Sequence, residues 1–187
     1  MTVEPVPTRD VGAEELRTGR LRLSRPGPGD LDAIFALHTD PEACAHNPSD
    51  LLETRKDAEL LLLRWSHQWD RYGFGYWTIR RHDSAETLGF CGVKIVGFRR
   101  RPVLNLFYRL FPASWGSGYA GEAATAAVDW ARVHRPDDLV IARVRPENVA
   151  SQRVALRAGL VRAEHLDTPG DDGADWFYVS DTSRYEG

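Results

Sequence analysis

The sequence predicts one α+β domain, a mixed and mostly antiparallel sheet with helices packed against it. Three observations predict it. Alternating strand-like segments and amphipathic helical segments follow one another in the order β α α β β β α β α β β, with no internal repeat and no low-complexity linker. Apolar residues make up 42% of 187 residues, enough for one sizeable core and scarcely for two. A glycine-bearing turn opens an Ala-rich helix directly after a strand. The domain is expected over residues 17–187, behind a loose lead-in at 1–16 that mixes Pro, Thr and acids.

Each element has a local cause. In Thr18–Arg25, Leu21 and Leu23 share one face and Arg20, Arg22 and Ser24 the other, which is a half-buried strand. Pro26–Gly29 ends it, and Asp30 is placed to cap a helix carrying Leu31, Ile34, Phe35 and Leu37, closed by His38–Pro41. A second helix over Glu53–Tyr72 presents Leu60, Leu61, Leu63, Trp65 and Trp69 as its apolar face and stops at Gly73. Phe74–Arg81 and Thr87–Phe98 form a hairpin around His82–Ala85. The basic run Arg99-Arg100-Arg101 reads as the next hairpin loop, before a strand at Val103–Leu110. Tyr119–Arg132 is a helix, Leu139–Arg145 a strand, and Asn148–Ala158 a short helix stopped by Gly159. Leu160–Leu166 and Asp175–Val179 close the sheet around the turn Thr168–Gly173.

Composition narrows the function. Lys plus Arg is 24 and Asp plus Glu 27, so 24 − 27 gives a net charge of −3. That disfavours nucleic acid as a partner. Cys44 and Cys91 are too few for a disulfide framework or a zinc cluster and are expected as free thiols in a reducing cytoplasm. The six histidines lack metal-binding company, so no metal is expected. The N-terminus lacks the blocks of a signal peptide, and no apolar run is long enough to span a membrane. From Glu164 onward seven acids stand against Arg184; most read as turn residues in solvent, and any that line the acceptor groove would attract a cationic amine or a basic peptide terminus. Trp65, Trp69, Tyr72 and Trp77 read first as core and second as an acceptor wall.

The chemistry concentrates in Leu104–Ala123. A helix start leaves several backbone N–H groups without partners, aligned with the helix dipole, so it attracts an anion. Gly116 and Gly118 let the chain curl around a phosphate. The Gly-Lys-Ser/Thr of a P-loop is missing.

Downstream, Asn148-Val-Ala-Ser151-Gln-Arg153-Val follows the next strand. With Trp115-Gly-Ser-Gly-Tyr-Ala120 and Gly121-Glu122-Ala123, this resembles the GCN5-related N-acetyltransferase (GNAT) superfamily, in particular the ribosomal-protein N-terminal acetyltransferases. The resemblance spans about residues 18–180. It implies the GNAT fold, with about seven strands, the fourth and fifth splayed apart, and about four flanking helices. It implies acetyl-CoA as cosubstrate. The pyrophosphate would rest on the backbone N–H groups from Trp115 through Gly116, Ser117, Gly118 and Tyr119 to Ala120, and the pantetheine arm along Leu106–Phe111. Asn148 would meet the pantetheine amides, and Arg153 or Arg157 the adenosine 3′-phosphate.

An amine attacks the thioester, an oxyanion forms and a thiolate leaves. The backbone N–H of Leu110 or its neighbour is the candidate oxyanion donor. The Tyr that many members carry seven residues after the Asn is Ala155 here, and Ser151 takes the acid role. Its alternative is a contact with Asn148 at the helix start. Asn105 stands where the subgroup often has a Glu base, and Asn accepts no proton. His46, His67, Tyr108 and water are the remaining candidates.

The expectation is an N-acetyltransferase acting on a primary amine, first a protein or peptide N-terminus. Alternatives are a small amine (an antibiotic or a polyamine) or a catalytically silent acyl-CoA-binding module. A monomer or homodimer is expected, with no membrane partner.

Overall fold

The computed structural model describes residues 14–181 and 183. Among them the elements run β1 (Glu15–Arg17), β2 (Leu21–Ser24), α1 (Leu31–His38), α2 (Arg55–Tyr72), β3 (Tyr76–Arg81), β4 (Thr87–Phe98), β5 (Arg101–Leu110), α3 (Tyr119–His134), β6 (Val140–Val144), α4 (Val149–Arg157), β7 (Val161–Arg162), β8 (Thr168–Gly170) and β9 (Gly173–Val179). The sheet order is β1-β2-β3-β4-β5-β6-β9-β7, with β8 paired to β9. Every neighbouring pair is antiparallel except β5 with β6. This is the expected α+β GNAT architecture, with nine strands in place of about seven.

The extra strands are short. β1 lies partly within the expected lead-in, and pairs Leu16 with Leu23. Residues 1–13 of that lead-in lie outside the described residues. An edge strand is held by backbone bonds, so it needs no alternating pattern to form. The expected strand Leu160–Leu166 shortens to β7 and then tightens into a 3₁₀ turn at Glu164–Leu166. The β4–β5 turn falls on Arg99 and Arg100, both at positive φ, as the basic run predicted for a hairpin loop.

Helix α2 is capped as its sequence dictates. Thr54 and Asp57 form a capping box, and Gly73 ends the helix in the left-handed conformation. Its buried face differs from the expected one. Ala58, Trp65 and Trp69 turn inward, whereas Leu60 and Leu63 are exposed. At about 100° per residue, positions 58, 65 and 69 share a line that 60 and 63 do not. Asp30 also differs: its carboxylate bonds back to the Gly27 amide and to Arg80 and does not cap α1.

The sheet divides the core. On β5, Leu104, Leu106, Tyr108 and Leu110 face α3 with Ala123, Ala127 and Val128. Phe107 turns to the opposite face, where α1 and α2 pack Ile34, Leu37, Trp65, Tyr76 and Phe90. Trp65, Trp69 and Trp77 are all buried, so the core reading holds for them.

Candidate active site

Strands β5 and β6 pair at only two positions, Leu104 with Val140 and Asn105 with Ile141. Beyond Asn105 they diverge into a V. The phase of the β4–β5 ladder fixes which backbone groups point into it. Phe111 N–H donates to Leu88 O at 2.9 Å. In an antiparallel ladder such bonds recur at every second residue. The amides of Phe111, Arg109 and Phe107 therefore face β4, and those of Leu110 and Tyr108 face the V. A cleft of about 1040 Å³ opens there, lined by both strands, the loop before α3, and α4.

The loop at the wide end of the V follows from its glycines. Gly116 has φ +75° and Gly118 φ +77°, conformations that side chains with a Cβ rarely adopt. Gly118 is the N-cap of α3 and offers no side chain to the first turn. Glu122 N–H already bonds Gly118 O, while Tyr119, Ala120 and Gly121 have no intrahelical acceptor for their N–H groups. Trp115 differs from the expected cradle, because its N–H is taken by Pro112 O at 3.0 Å. Its indole instead donates to Leu110 O at 3.0 Å, half-exposed over the strand end. The amide set available to an anion thus begins after Trp115. Phe111 packs partly buried on the α1–α2 side, and its amide is used by β4.

The loop is braced from the residue just before β2. Arg20 donates to Ser117 O at 2.9 Å and to Glu122 at 2.6 Å, and Glu122 also accepts the Arg20 amide at 2.9 Å. Burial pulls the Glu122 carboxyl upward, but hydrogen bonds from Thr18 and Arg20 outweigh it and hold it below its ordinary value. A Cβ on Gly118 would come within 3.7 Å of guanidinium nitrogens of both Arg20 and Arg157. Arg157 therefore lies closer to the loop than the sequence alone indicated. Arg153 lines the cleft from the exposed side of α4.

Helix α4 supplies Asn148 and Ser151. The Asn148 side chain caps the helix by accepting the Ser151 amide at 3.0 Å. The link between these two residues runs through the backbone, so the Ser151 hydroxyl is left for another partner. That partner is Tyr108, 2.8 Å away across the V. Burial raises the Tyr108 phenol, opposed by the Ser151 hydrogen bond. Of the base candidates, His46 and Tyr108 line the cleft, and His67 does not.

The opposite face of β5 carries Asn105, Phe107 and Arg109. Asn105 is 8% exposed, and its Oδ1 is itself buried with no hydrogen-bond partner among the described residues. Burial raises the neighbouring Tyr76 phenol, with an Asn105 hydrogen bond acting the other way. Lys94, across the ladder from Asn105, places its ammonium 5.5 Å from the Tyr76 ring centre. Burial and then Arg143 lower its pKa.

One feature gave no sequence signal. Arg145 is buried and bonds Asn47 Oδ1 at 3.1 Å, Gly173 O at 2.8 Å and Asp175 Oδ1 at 2.9 Å. Ser49 bonds Asp172 at 2.6 Å beside it. The α1–α2 connection and the β8–β9 hairpin are thereby joined over the cleft. Asp171, Asp172 and Asp175 line this part, as the acidic C-terminal surplus suggested; Glu186 lies outside the described residues.

Residues 20–161 match the profile of the acetyltransferase (GNAT) domain. The uncharacterized protein YkkB of Bacillus subtilis is 30% identical over 148 residues, 78% of this chain and 84% of that one. The crystal structure of an acetyltransferase from Agrobacterium tumefaciens superposes with a TM-score of 0.75 at 25% identity, covering 88% of this chain and 92% of that one. Two others share the fold at 17% identity and a TM-score of 0.69. RimL, a ribosomal L7/L12 α-N-protein acetyltransferase in complex with coenzyme A, covers 90% of this chain and 100% of its own. Spermidine N-acetyltransferase from Vibrio cholerae, with CoA and spermine, covers 91% and 100%.

Proposed function

The chain belongs to the GNAT acetyltransferase family, and from that premise we propose that it moves acetyl from acetyl-CoA to a primary amine, with a protein or peptide N-terminus as the leading acceptor. The observation that carries the reading is the V between β5 and β6, into which the Tyr108 and Leu110 amides point and at whose edge the Ser151 hydroxyl stands.

The residues present suit acetyl-CoA, which supplies an activated acyl thioester. The amides of Gly116 to Ala120, with Arg157 and Arg20 beside them, suit a pyrophosphate. Arg153 and Arg157 serve the more distant 3′-phosphate. The free amides of β5 pair with an extended arm, and the Asn148 side-chain amide meets its polar groups. Leu110 N–H donates to the oxyanion that develops on the carbonyl. Ser151 donates a proton to the departing sulfur, its rotamer held by Tyr108.

Asp171, Asp172 and Asp175 outnumber the buried Arg145 that pairs with the latter two, and the negative charge left over draws the acceptor as a cation. An α-amine with a reference pKa of about 7.7–8.0 is partly neutral at pH 7, whereas a lysine-type amine at about 10.4 is almost fully charged. With Asn105 in place of a carboxylate, the more acidic ammonium is favoured. A polyamine is the second reading, supported by the same acidic lining. Thiol release from acetyl-CoA, followed with N-terminal peptides, polyamines and aminoglycosides, tests these readings. Peptide turnover above the others is expected. CoA binding without turnover on any acceptor would replace the enzyme reading with a silent binding module.

A further inference from the structure

Resting on that reading, we propose that Arg143, with Lys94 beside it, forms a carboxylate-binding subsite in the floor of the cleft, and that the acceptor is a peptide N-terminus whose second or third residue is acidic.

The sheet brings the two cations together. Lys94 on β4 stands opposite Asn105 on β5, and Asn105 opposite Ile141 on β6. Residues so paired share a face of the sheet, as do residues two apart on one strand. Arg143 therefore lies on the face of Lys94, one step toward the wide end of the V. Tyr76 is on that face too, because it pairs with Gly92, two residues before Lys94. The Lys94 ammonium lies 5.5 Å from the Tyr76 ring centre, and the Arg143 charge acts on both residues. The pair stands between two apolar clusters, with Tyr76 and Phe107 on one side and Val96, Phe98 and Phe177 on the other.

Their charge is not balanced within the site. Arg109 is held by Asp50 at 2.7 Å and Arg145 by Asp175 at 2.9 Å. Arg143 and Lys94 have no ion pair or side-chain hydrogen bond among the described residues. Asp50, the acid whose charge favours the Lys94 ammonium, is the one committed to Arg109. Burial first, and then the charges of Arg143 and Arg64, hold the Lys94 pKa below its ordinary value. An anion set against Arg143 relieves that repulsion. Arg143 is exposed and lines the cleft, so an anion reaches it without rearrangement. A planar carboxylate suits its guanidinium, since two parallel N–H···O bonds form at once.

The strand register sets the distance between amine and carboxylate. Arg143 is two residues past Ile141, level with Phe107, which is two past Asn105. Leu110 lies three residues further, about 10 Å along an extended strand. Asp175 is level with Arg145, because Trp176 pairs with Val144. An ammonium drawn by the surplus acids thus arrives near Leu110, and a carboxylate about 10 Å behind it meets Arg143. In an extended peptide that place belongs to the side chain of the second or third residue. The cleft continues to Val96, Gly97 and Phe98 beside the β4–β5 turn, where the rest of a peptide can leave. A free amino acid is too short to reach both ends. A polyamine brings no anion and meets only repulsion at Arg143.

The test compares C-terminally amidated peptides that differ only in a third residue of Asp, Asn or Lys, beside free amino acids, an acidic dipeptide and spermidine. In the wild-type protein kcat/KM for the Asp peptide should exceed that for the Asn peptide by at least about tenfold, chiefly through KM, with the Lys peptide lowest. Arg143→Gln should bring the Asp-to-Asn ratio to within about twofold of one, Arg143→Lys should keep part of it, and Arg143→Glu should reverse the order of the Asp and Lys peptides. Lys94→Met should reduce the ratio less than Arg143→Gln. CoA affinity and Tm serve as controls for folding. Equal wild-type rates on the Asp and Asn peptides would overturn the subsite, and so would a preference that survives Arg143→Gln. Acidic dipeptide or amino acid turnover above every longer peptide would keep the carboxylate and overturn the peptide as its source; spermidine turnover above all would overturn both. Calorimetric titration of the three peptides into CoA-loaded protein reads the same preference without turnover. An Asp preference there with no acetyl transfer to any acceptor would uphold the subsite and refute the acetyltransferase reading beneath it.

Discussion

The Tyr108 hydroxyl lies 2.8 Å from Ser151 Oγ and 2.8 Å from the Ser151 carbonyl oxygen, joining β5 to α4 across the cleft. Burial keeps the phenol neutral, so in the proposed mechanism Tyr108 orients the serine. Ser151→Ala is expected to lower kcat by about 10- to 100-fold with the acetyl-CoA KM nearly unchanged, the pattern of an interaction made in the transition state. Tyr108→Phe should cost less, and the double variant no more than Ser151→Ala alone. Steady-state kinetics on the three variants check this. Additive losses would show that the two hydroxyls act separately.

Gly118→Trp should weaken CoA binding by at least about tenfold, since a side chain at φ +77° strains the turn and enters the space between Arg20 and Arg157. Calorimetric titration with CoA, with the Tm as a control for folding, measures it. Unchanged affinity would remove the loop from the donor site.

Arg145→Met should destabilise the protein by roughly 3 kcal/mol, because it strands the buried Asp175 carboxylate without its cation. Chemical denaturation gives the value. The same variant should increase proteolytic cleavage within residues 46–50 and 170–174, which Arg145 and the Ser49–Asp172 bond hold together. Equal cleavage in both proteins would show that the bridge is held by other contacts.

His38 gives the protein an acid-sensitive core. Its Nδ1 bonds Ile34 O at 2.9 Å amid Trp65, Phe90 and Phe107, and burial followed by the Arg109 charge lowers its pKa to about 4. The unfolded chain binds the proton near the ordinary value of 6.5, so between 6.5 and about 4 it holds more protons than the folded one. Stability present above pH 6.5 is therefore lost as pH falls, by up to about 3 kcal/mol. Thermal unfolding across that range should show the decline, and His38→Phe should flatten it.

Much of this was legible in the residues. Strand β4 falls on the predicted bounds because its run of β-branched and aromatic residues and its flanking turns are local signals. The loop before α3 was legible because only glycine suits two left-handed positions there. Leu60 and Leu63 were misplaced because four consecutive leucines do not reveal which of them face the core. Arg145 was invisible for a different reason. Its partners lie 98 residues before it and 28 to 30 after it, and only the folded sheet brings them together. Asn105 stood out in the sequence as a departure from the family's pattern. That its oxygen is left without a donor is known only from the packing around it.

The seam at Leu104–Val140 and Asn105–Ile141 also divides the sheet mechanically. A full ladder resists shear along its whole length; here the backbone pairing of β1–β5 with β6–β9 is confined to one short row, and side chains of α3 and α4 make the rest of the join. Anything wedged between the two halves beside the loop before α3 acts on a lever whose fulcrum is the Leu104–Asn105 pairing. The spacing around the Asn105 carboxamide is thereby tied to what fills the far end of the V.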